Sequence, residues 1–367
     1  MRCLRHDACL ARCRSNRYEL RPAIRLVTRA CPFKGILNSQ SAEDFPFRPF
    51  PDGKPYRLLL GLRHPDGPWL DPDEDDEVVA DELRQRAKHI QERRDAVIQQ
   101  LDEPLAAEAG RELLEQLLRE LPERHPTRFR LQGARLINLL TGEVFDTADP
   151  RVDPLEVAGR VTQEDFCLLA PGDGDDGAYR LIGGVVAFPA HWSMAEKLGK
   201  TLPQIHAPVP RWRSDAAHLV HSFMSRLAPP QPRIRWNWTL LPTAELHLSR
   251  FYTPPPAPHT APPDDTTGIE HLHLRLERQM FHRLPRSGAV VFTIRTYQQP
   301  LARAVRDRPL VAAALAGALR DLPHEHLQYK SDLHLRLPAL LAFLDEAAAG
   351  PVAVAAVASV VEAPTAV

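Results

Sequence analysis

With 367 residues, 44% of them hydrophobic, the chain is long enough for one large domain or two small ones and can bury a sizeable core. Its 46 basic and 47 acidic residues give a net charge of -1, which removes any general attraction to nucleic acid or an anionic membrane. No central basic patch is interleaved with aromatics, and no apolar run reaches the roughly 18 residues of a membrane-crossing helix.

Residues 1–44 are rich in arginine and poor in acid. They lack the apolar run of a secretory signal, so they read either as a targeting leader or, the preferred reading, as a disordered extension. Cys3, Cys9, Cys13 and Cys31 lie in this stretch without C-x-x-C spacing, which gives little support to a zinc or iron–sulfur knuckle. Cys167 is the single thiol of the body, which argues against a disulfide framework and for a reducing, cytoplasmic setting.

The body is expected over residues 45–347. Its first segment, FPFRPFPDGKPYRLLLGLR, alternates prolines with aromatics and reads as an extended arm. The acidic stretch Asp66–Glu77 reads as a solvated loop leading into the first turn of a helix. The spacing of Val79, Leu83, Ala87, Ile90, Arg94, Val97 and Leu101, then of Leu113, Leu114, Leu117, Leu118 and Leu121, predicts at least two helices broken at Pro104 and Gly110.

From Arg128 the period shortens to two, and the strand runs suggest an antiparallel meander joined at Thr141-Gly142 and at PGDGDDG. HWSMAEKLG reads as a short helix stopped by Gly199, QIHAPVPRW as a segment held extended by its prolines, and Ser214–Leu227 as one helix. IRWNWTLLP reads as a strand, HLHLRLERQMFHRLP and GAVVFTIRTYQQP as two further strands or a strand–helix–strand, Pro254–Asp265 as a Pro-rich loop, 301–321 and 332–347 as closing helices, and 348–367 as a disordered Ala/Val-rich tail. No Walker loop, GxGxxG, HExxH or GxSxG motif is present.

Sixteen histidines are many for this length. His64, His89, His125 and His259 lie in polar stretches and are expected at the surface, while the i, i+2 pairs His271/His273 and His324/His326 lack a third ligand. His206 stands between Ile205 and the braced run Ala207-Pro208-Val209-Pro210. A rigid, apolar-flanked imidazole suits an axial haem ligand, and equally a buried histidine bonded to a neighbouring carbonyl. In Arg235-Trp236-Asn237-Trp238 strand alternation puts both tryptophans on one face and Arg235 with Asn237 on the other, toward solvent or a pocket. Glu277, Arg278, Gln279 and Arg283 crowd an apolar strand and form either an ion-pair network or a ligand site.

Three blocks taken together resemble the haem-dependent oxidative N-demethylase alpha-subunit family: Trp192 with Glu196-Lys197-Leu198-Gly199 and Ile205-His206-Ala207-Pro208-Val209-Pro210; the RWNW strand; and LRLERQMFHRLPRSGAVVFTIRTY. The similarity spans roughly residues 45–330. It implies an α+β fold with a PAS-like antiparallel β-sheet and flanking helices, the core lying at about 128–300. It also implies a haem iron, O2, a small secondary amine such as dimethylamine, and a partner reductase bringing electrons from NADPH through FMN and a 2Fe-2S centre. The resemblance makes His206 the iron ligand and puts Trp192, Lys197, Arg235 and Arg283 on the cofactor side. Asn237, Glu277, Arg278 and Gln279 fall on the catalytic side, with His191 and His282 as fallback ligands. The alternative is a haem-binding PAS-like sensor without turnover, or a haem-free member in which the polar groups are purely structural.

Overall fold

The computed structural model describes residues 56–65, 67–172, 178–249 and 268–350. The N-terminal extension with its four cysteines, the first part of the arm, most of the PGDGDDG turn, the Pro-rich loop with His259, and the tail lie outside the described residues.

The acidic stretch ends as the start of α1 (Asp76–Glu92): Asp75 accepts from the backbone of Glu77 and Val78, and Asp76 and Glu77 occupy the first turn, where carboxylates oppose the helix dipole. The stretch before it is not simply solvated. Trp69 and Leu70 are buried, and the Asp71 carboxylate accepts from the Tyr297 hydroxyl. After the short α2 (Arg94–Val97) the expected helix gives way to a strand, β1 (Ile98–Gln100), which pairs with the sheet instead. Pro104 begins α3 (Pro104–Arg124) rather than merely breaking a helix, because proline costs nothing in a first turn. Gly110 lies inside α3, where an added Cβ would meet Gln100 and Leu155 at ordinary contact distance.

A three-stranded meander follows, β2 (Phe129–Gln132), β3 (Arg135–Asn138) and β4 (Val144–Asp146), paired β2-β3-β4 and separate from the main sheet. Then come α4 (Pro154–Val161), β5 (Glu164–Pro171) and β6 (Tyr179–Val185). Four short helices cross one face: α5 (Met194–Lys197), α6 (Leu202–Ile205), α7 (Trp212–Asp215) and α8 (Ala217–Arg226). The helix expected over Ser214–Leu227 is thus two, divided at Ala216. The long strands β7 (Arg233–Leu241), β8 (His273–Arg283) and β9 (Val290–Pro300) complete the sheet. The closing helices are α9 (Leu301–Val305), α10 (Pro309–Asp321), α11 (His324–Tyr329) and α12 (Leu337–Ala349).

The six-stranded sheet is antiparallel in the order β1-β6-β5-β9-β8-β7. Counted among themselves, the five strands from β5 to β9 run second, first, fifth, fourth, third. This is the PAS-like order, within an α+β fold, with β1 added at the outer edge. The sheet therefore begins at Ile98, ahead of the core expected from residue 128, and the meander at 129–146 is not part of it.

Strand alternation separates the two faces. Phe166, Leu168, Met280 and Val291 face α3 and α4 in one apolar cluster, while Leu276 and Tyr297 continue that face under α10 and α12. Cys167, Leu169, Phe281 and Phe292 face the other way, against Met194, Leu202, Trp212 and Met224 from the short helices.

Arg86 locks α1 to this frame. It is fully buried, donates to the carbonyls of Gly159, Gln163 and Glu164 at 3.0, 3.4 and 2.7 Å, and pairs with Asp165 at 2.8 Å. Asp165 in turn accepts from the backbone of Ala187 and Phe188. Removing one partner of such a pair strands a buried charge. Arg86→Met is expected to lower unfolding stability by about 3–5 kcal/mol in urea; a loss no larger than that of an exposed arginine such as Arg84→Met would contradict the pairing.

Candidate functional site

The face under the short helices carries a polar group built on β7 and β8. Arg275, Glu277 and Gln279 alternate onto it from β8 and stand opposite Thr239, Asn237 and Arg235 of β7. One Glu277 oxygen accepts from Arg275 Nε at 3.2 Å; the other accepts from Asn237 Nδ2 at 3.2 Å and Gln279 Nε2 at 3.0 Å. Three donors fix this carboxylate in place. Arg275 has further acceptors in Leu246 O, Phe188 O and Thr296 Oγ1. Arg235 differs: it makes no hydrogen bond among the described residues, and its Nε is shut off from water. Burial pulls its pKa down against the opposing attraction of Glu277.

Lys330, the residue capping α11, lies against β7 at Trp238. Its Nζ donates to the Trp238 carbonyl at 2.5 Å and lies 4.7 Å from the centre of the Trp238 ring. Burial lowers its pKa to about 8, with Glu277 opposing and Arg235 adding to the shift. Nothing in the sequence around Lys330 marks it. Arg275 was legible in principle, standing two residues before Glu277 on the same strand face.

His206 enters from α6. The run expected to be extended is a helical turn, because Thr201 and Gln204 form a capping box and Pro203 sits in the first turn, where it is tolerated. The prolines after it start only once the turn has ended at His206. The His206 ring then folds back, Nδ1 on the Leu202 carbonyl at 2.8 Å, and stacks on Trp212 with centroids 4.8 Å apart and planes 4° apart. A carbonyl can only accept, so the proton is assigned to Nδ1 and the lone pair to Nε2. No hydrogen bond engages Nε2 among the described residues. Burial lowers this imidazole to about 4; the Leu202 bond opposes, and the charges of Arg235 and Lys197 push the same way. The structure thus brings His206, Lys197 and Arg235 together, and through Arg235 the Asn237–Glu277–Gln279 group.

Other expected residues lie elsewhere. Trp192 packs at the edge of the apolar cluster formed by Leu202, Trp212 and Phe281. Lys197, by contrast, stays beside His206, donating to Ile205 O at 3.4 Å and bracing the turn that carries the ring. Arg278 is on the opposite face from its neighbours Glu277 and Gln279, donating to Trp69 O and Pro68 O at 3.1 and 2.6 Å, so strand alternation removes it from the catalytic group. Arg283 is spent on the carbonyls of Leu227, Gly288 and Met224 and on the Tyr179 hydroxyl, a staple between β8 and the end of α8. Of the fallback ligands, His191 is exposed, and His282 lies on the Arg278 face against Trp69 and Gln116.

His271 lies in a 3-10 turn, not on a shared strand face with His273. His324 and His326 sit in α11, where His324 meets His334 and His326 meets Tyr56. His89 is not a surface residue: it stacks on His247 with centroids 4.7 Å apart.

A haem needs a neutral nitrogen for its iron, cations for its propionates and an apolar enclosure. His206 Nε2, the half-buried Arg235, whose Nε is enclosed without a partner, and the cluster of Phe281, Phe292 and Trp212 match that set. The family model described as haem-dependent oxidative N-demethylase, alpha subunit-like, matches residues 69–340. The chain belongs to this family. Membership brings haem dependence and oxidoreductase chemistry at the level of the family, and an alpha subunit implies a multi-subunit system. His206, Arg235, Asn237, Glu277 and Gln279 all fall inside the matched span. Among the described residues no three His, Cys, Asp or Glu side chains are grouped as metal ligands, and no helix is long and apolar enough to cross a membrane.

His206 shares its depressed pKa with His89 and His282, both also lowered to about 4 chiefly by burial. Unfolded imidazoles titrate near about 6.5, so on acidification the unfolded chain takes up protons first. Their contribution to stability is complete above about pH 6.5 and is lost as pH falls toward 4. In urea unfolding across this window, His282→Gln is expected to show a shallower loss than the unsubstituted protein; identical slopes would show that His282 is not held neutral.

Proposed function

We propose that this chain holds haem through His206 and acts as an oxidative N-demethylase of a small secondary amine such as dimethylamine, using O2. A partner reductase carrying FMN and a 2Fe-2S centre supplies electrons from NADPH. The observation that carries the reading is the pairing of His206, its Nδ1 tied to Leu202 and its Nε2 free, with a half-buried Arg235 that makes no hydrogen bond among the described residues. Family membership supports the haem and the class of chemistry.

When bound, haem supplies the activation of dioxygen through which an N-methyl group leaves as formaldehyde, with two electrons and two protons taken up and water released. The chain's own residues set the conditions. The Leu202 carbonyl and the Trp212 stack fix the His206 ring and its tautomer, keeping Nε2 basic and oriented. Arg235 and Lys197 offer cations to propionates. Glu277, held by Asn237, Gln279 and Arg275, presents a fixed acceptor for an amine N–H, and the ring of Phe281 and Phe292 restricts water.

Full-length protein expressed with haem supply is expected to show a Soret band that His206→Ala loses or shifts. Glu277→Gln should leave the band intact and lower formaldehyde release from dimethylamine, with a chemical reductant, by at least about tenfold. Absence of the band would refute the haem reading. A band with no formaldehyde from any secondary amine would leave a haem-binding protein without turnover.

A further inference from the structure

Residues 197–235 hold seven Lys or Arg and one acid, Asp215, in a chain of net charge -1, and the arm segment 56–63 adds two arginines and no acid. The fold gathers part of this excess on one side. Leu58, Leu60 and Leu62 of the arm pack on the apolar cluster of the short helices, so Arg57 and Leu59 point outward. The Leu58 N–H donates to Asp215 at 3.2 Å, and the Arg211 guanidinium lies 5.9 Å from the centre of the Tyr56 ring, which lays the arm against α7. On α8, Val220, Phe223 and Met224 face the cluster, and helical spacing turns His218, Leu219, His221 and Arg226 to the surface, with Arg213 of α7 exposed just ahead of them. Asp215 does not neutralise this face: its side chain is only 10% exposed and is engaged by Leu58, Ser214 and Arg211. Arg57, Arg213 and Arg226 make no ion pair among the described residues, unlike Arg94 and Arg320, exposed elsewhere, which stand beside acids.

We propose that this face, formed by the arm with α7 and α8, docks an acidic electron-carrier protein, the donor that the function proposed above requires. Uncommitted charge of one sign adds little to stability but steers an oppositely charged partner into contact. Leu59 and Leu219, 59% and 39% exposed, supply apolar contacts among the charges, the make-up of a protein interface. The face also stands next to His206: Arg211 and Arg213 flank Trp212, the ring stacked on that imidazole. No exposed aromatic ring lies among the arginines to stack on bases, which disfavours a nucleic acid. The identity of the partner as an electron carrier rests on the proposed function; the binding itself can be read without haem.

The test measures binding, not turnover. Full-length protein, with and without haem, is titrated by calorimetry with an acidic plant-type 2Fe-2S ferredoxin, and in parallel with a single-stranded oligonucleotide and with anionic phosphatidylglycerol vesicles. The ferredoxin is expected to bind, its affinity falling at least about tenfold between about 20 and about 200 mM salt. Arg213→Glu combined with Arg226→Glu should weaken binding at least about tenfold at low salt, with urea unfolding unchanged. Arg111→Glu combined with Arg119→Glu, exposed on α3 across the sheet, makes the same change in net charge and should weaken it by less than about threefold. Should the first pair not fold, Arg213→Gln alone is expected to weaken binding about threefold. Absence of ferredoxin binding, an equal loss in both pairs, or tighter binding of the oligonucleotide or the vesicles overturns the proposal. Ferredoxin binding as expected by a protein without a Soret band keeps the docking face and removes the haem reading; a Soret band without ferredoxin binding does the reverse.

Discussion

A strongly charged strand in the interior of a sheet is the constraint around which this fold is arranged. β8 lies between two strands and is covered on both faces of the sheet, so its side chains are buried, yet it carries Arg275, Glu277, Arg278 and Gln279 in five positions. Each buried charge costs several kcal/mol unless it is paired or hydrogen-bonded. Arg278 draws the segment of Pro68 and Trp69 beneath one face; Arg275 draws the carbonyls of Phe188 and Leu246 over the other. Segments far apart in the chain are thus fixed by the acceptors these two arginines require.

The two faces answer the same demand differently. On the α1 side the charges are closed upon one another: Arg295 with Glu82 at 2.8 Å, Arg86 with Asp165, and Tyr297 with Asp71. Burial pushes the carboxyls of Glu82 and Glu164 up, with Arg295 opposing in both cases. That network is complete and reads as structure. On the other face Glu277 is satisfied, while Arg235 is half-buried and makes no hydrogen bond among the described residues.

His206 belongs to the face of Glu277 because the short helices carry it there. A single capped turn, too short to be stable alone, is held by packing of Leu202 and Trp212 on the sheet. The ring is therefore oriented by tertiary contacts, with Leu202 fixing its tautomer and Trp212 its plane.

Strand periodicity placed β5, β6 and β7 and left the region of β8 and β9 as two strands or a strand–helix–strand, and the alternation in Arg235-Trp236-Asn237-Trp238 already divided tryptophans from polar groups. The motif blocks pointed to His206 and to the Glu277 strand. What periodicity missed has a common cause. Residues 98–101 satisfy a helical spacing as well as a strand, and only the open edge of β6 made them β1. Pro203 is compatible with an extended segment or a first helical turn, and the Thr201–Gln204 box decided for the turn. Arg278, next in sequence to Glu277 and Gln279, was assigned to their group although a period of two sends it to the other face. Lys330, more than fifty residues further along the chain, packs on Trp238 of β7 with no local signal at all. The sequence by itself determined which segments alternate and that the polar residues of the Glu277 strand sit among apolar neighbours. Only the tertiary structure decided which of those residues meet, because the acceptors that complete or fail to complete a buried charge come from distant parts of the chain.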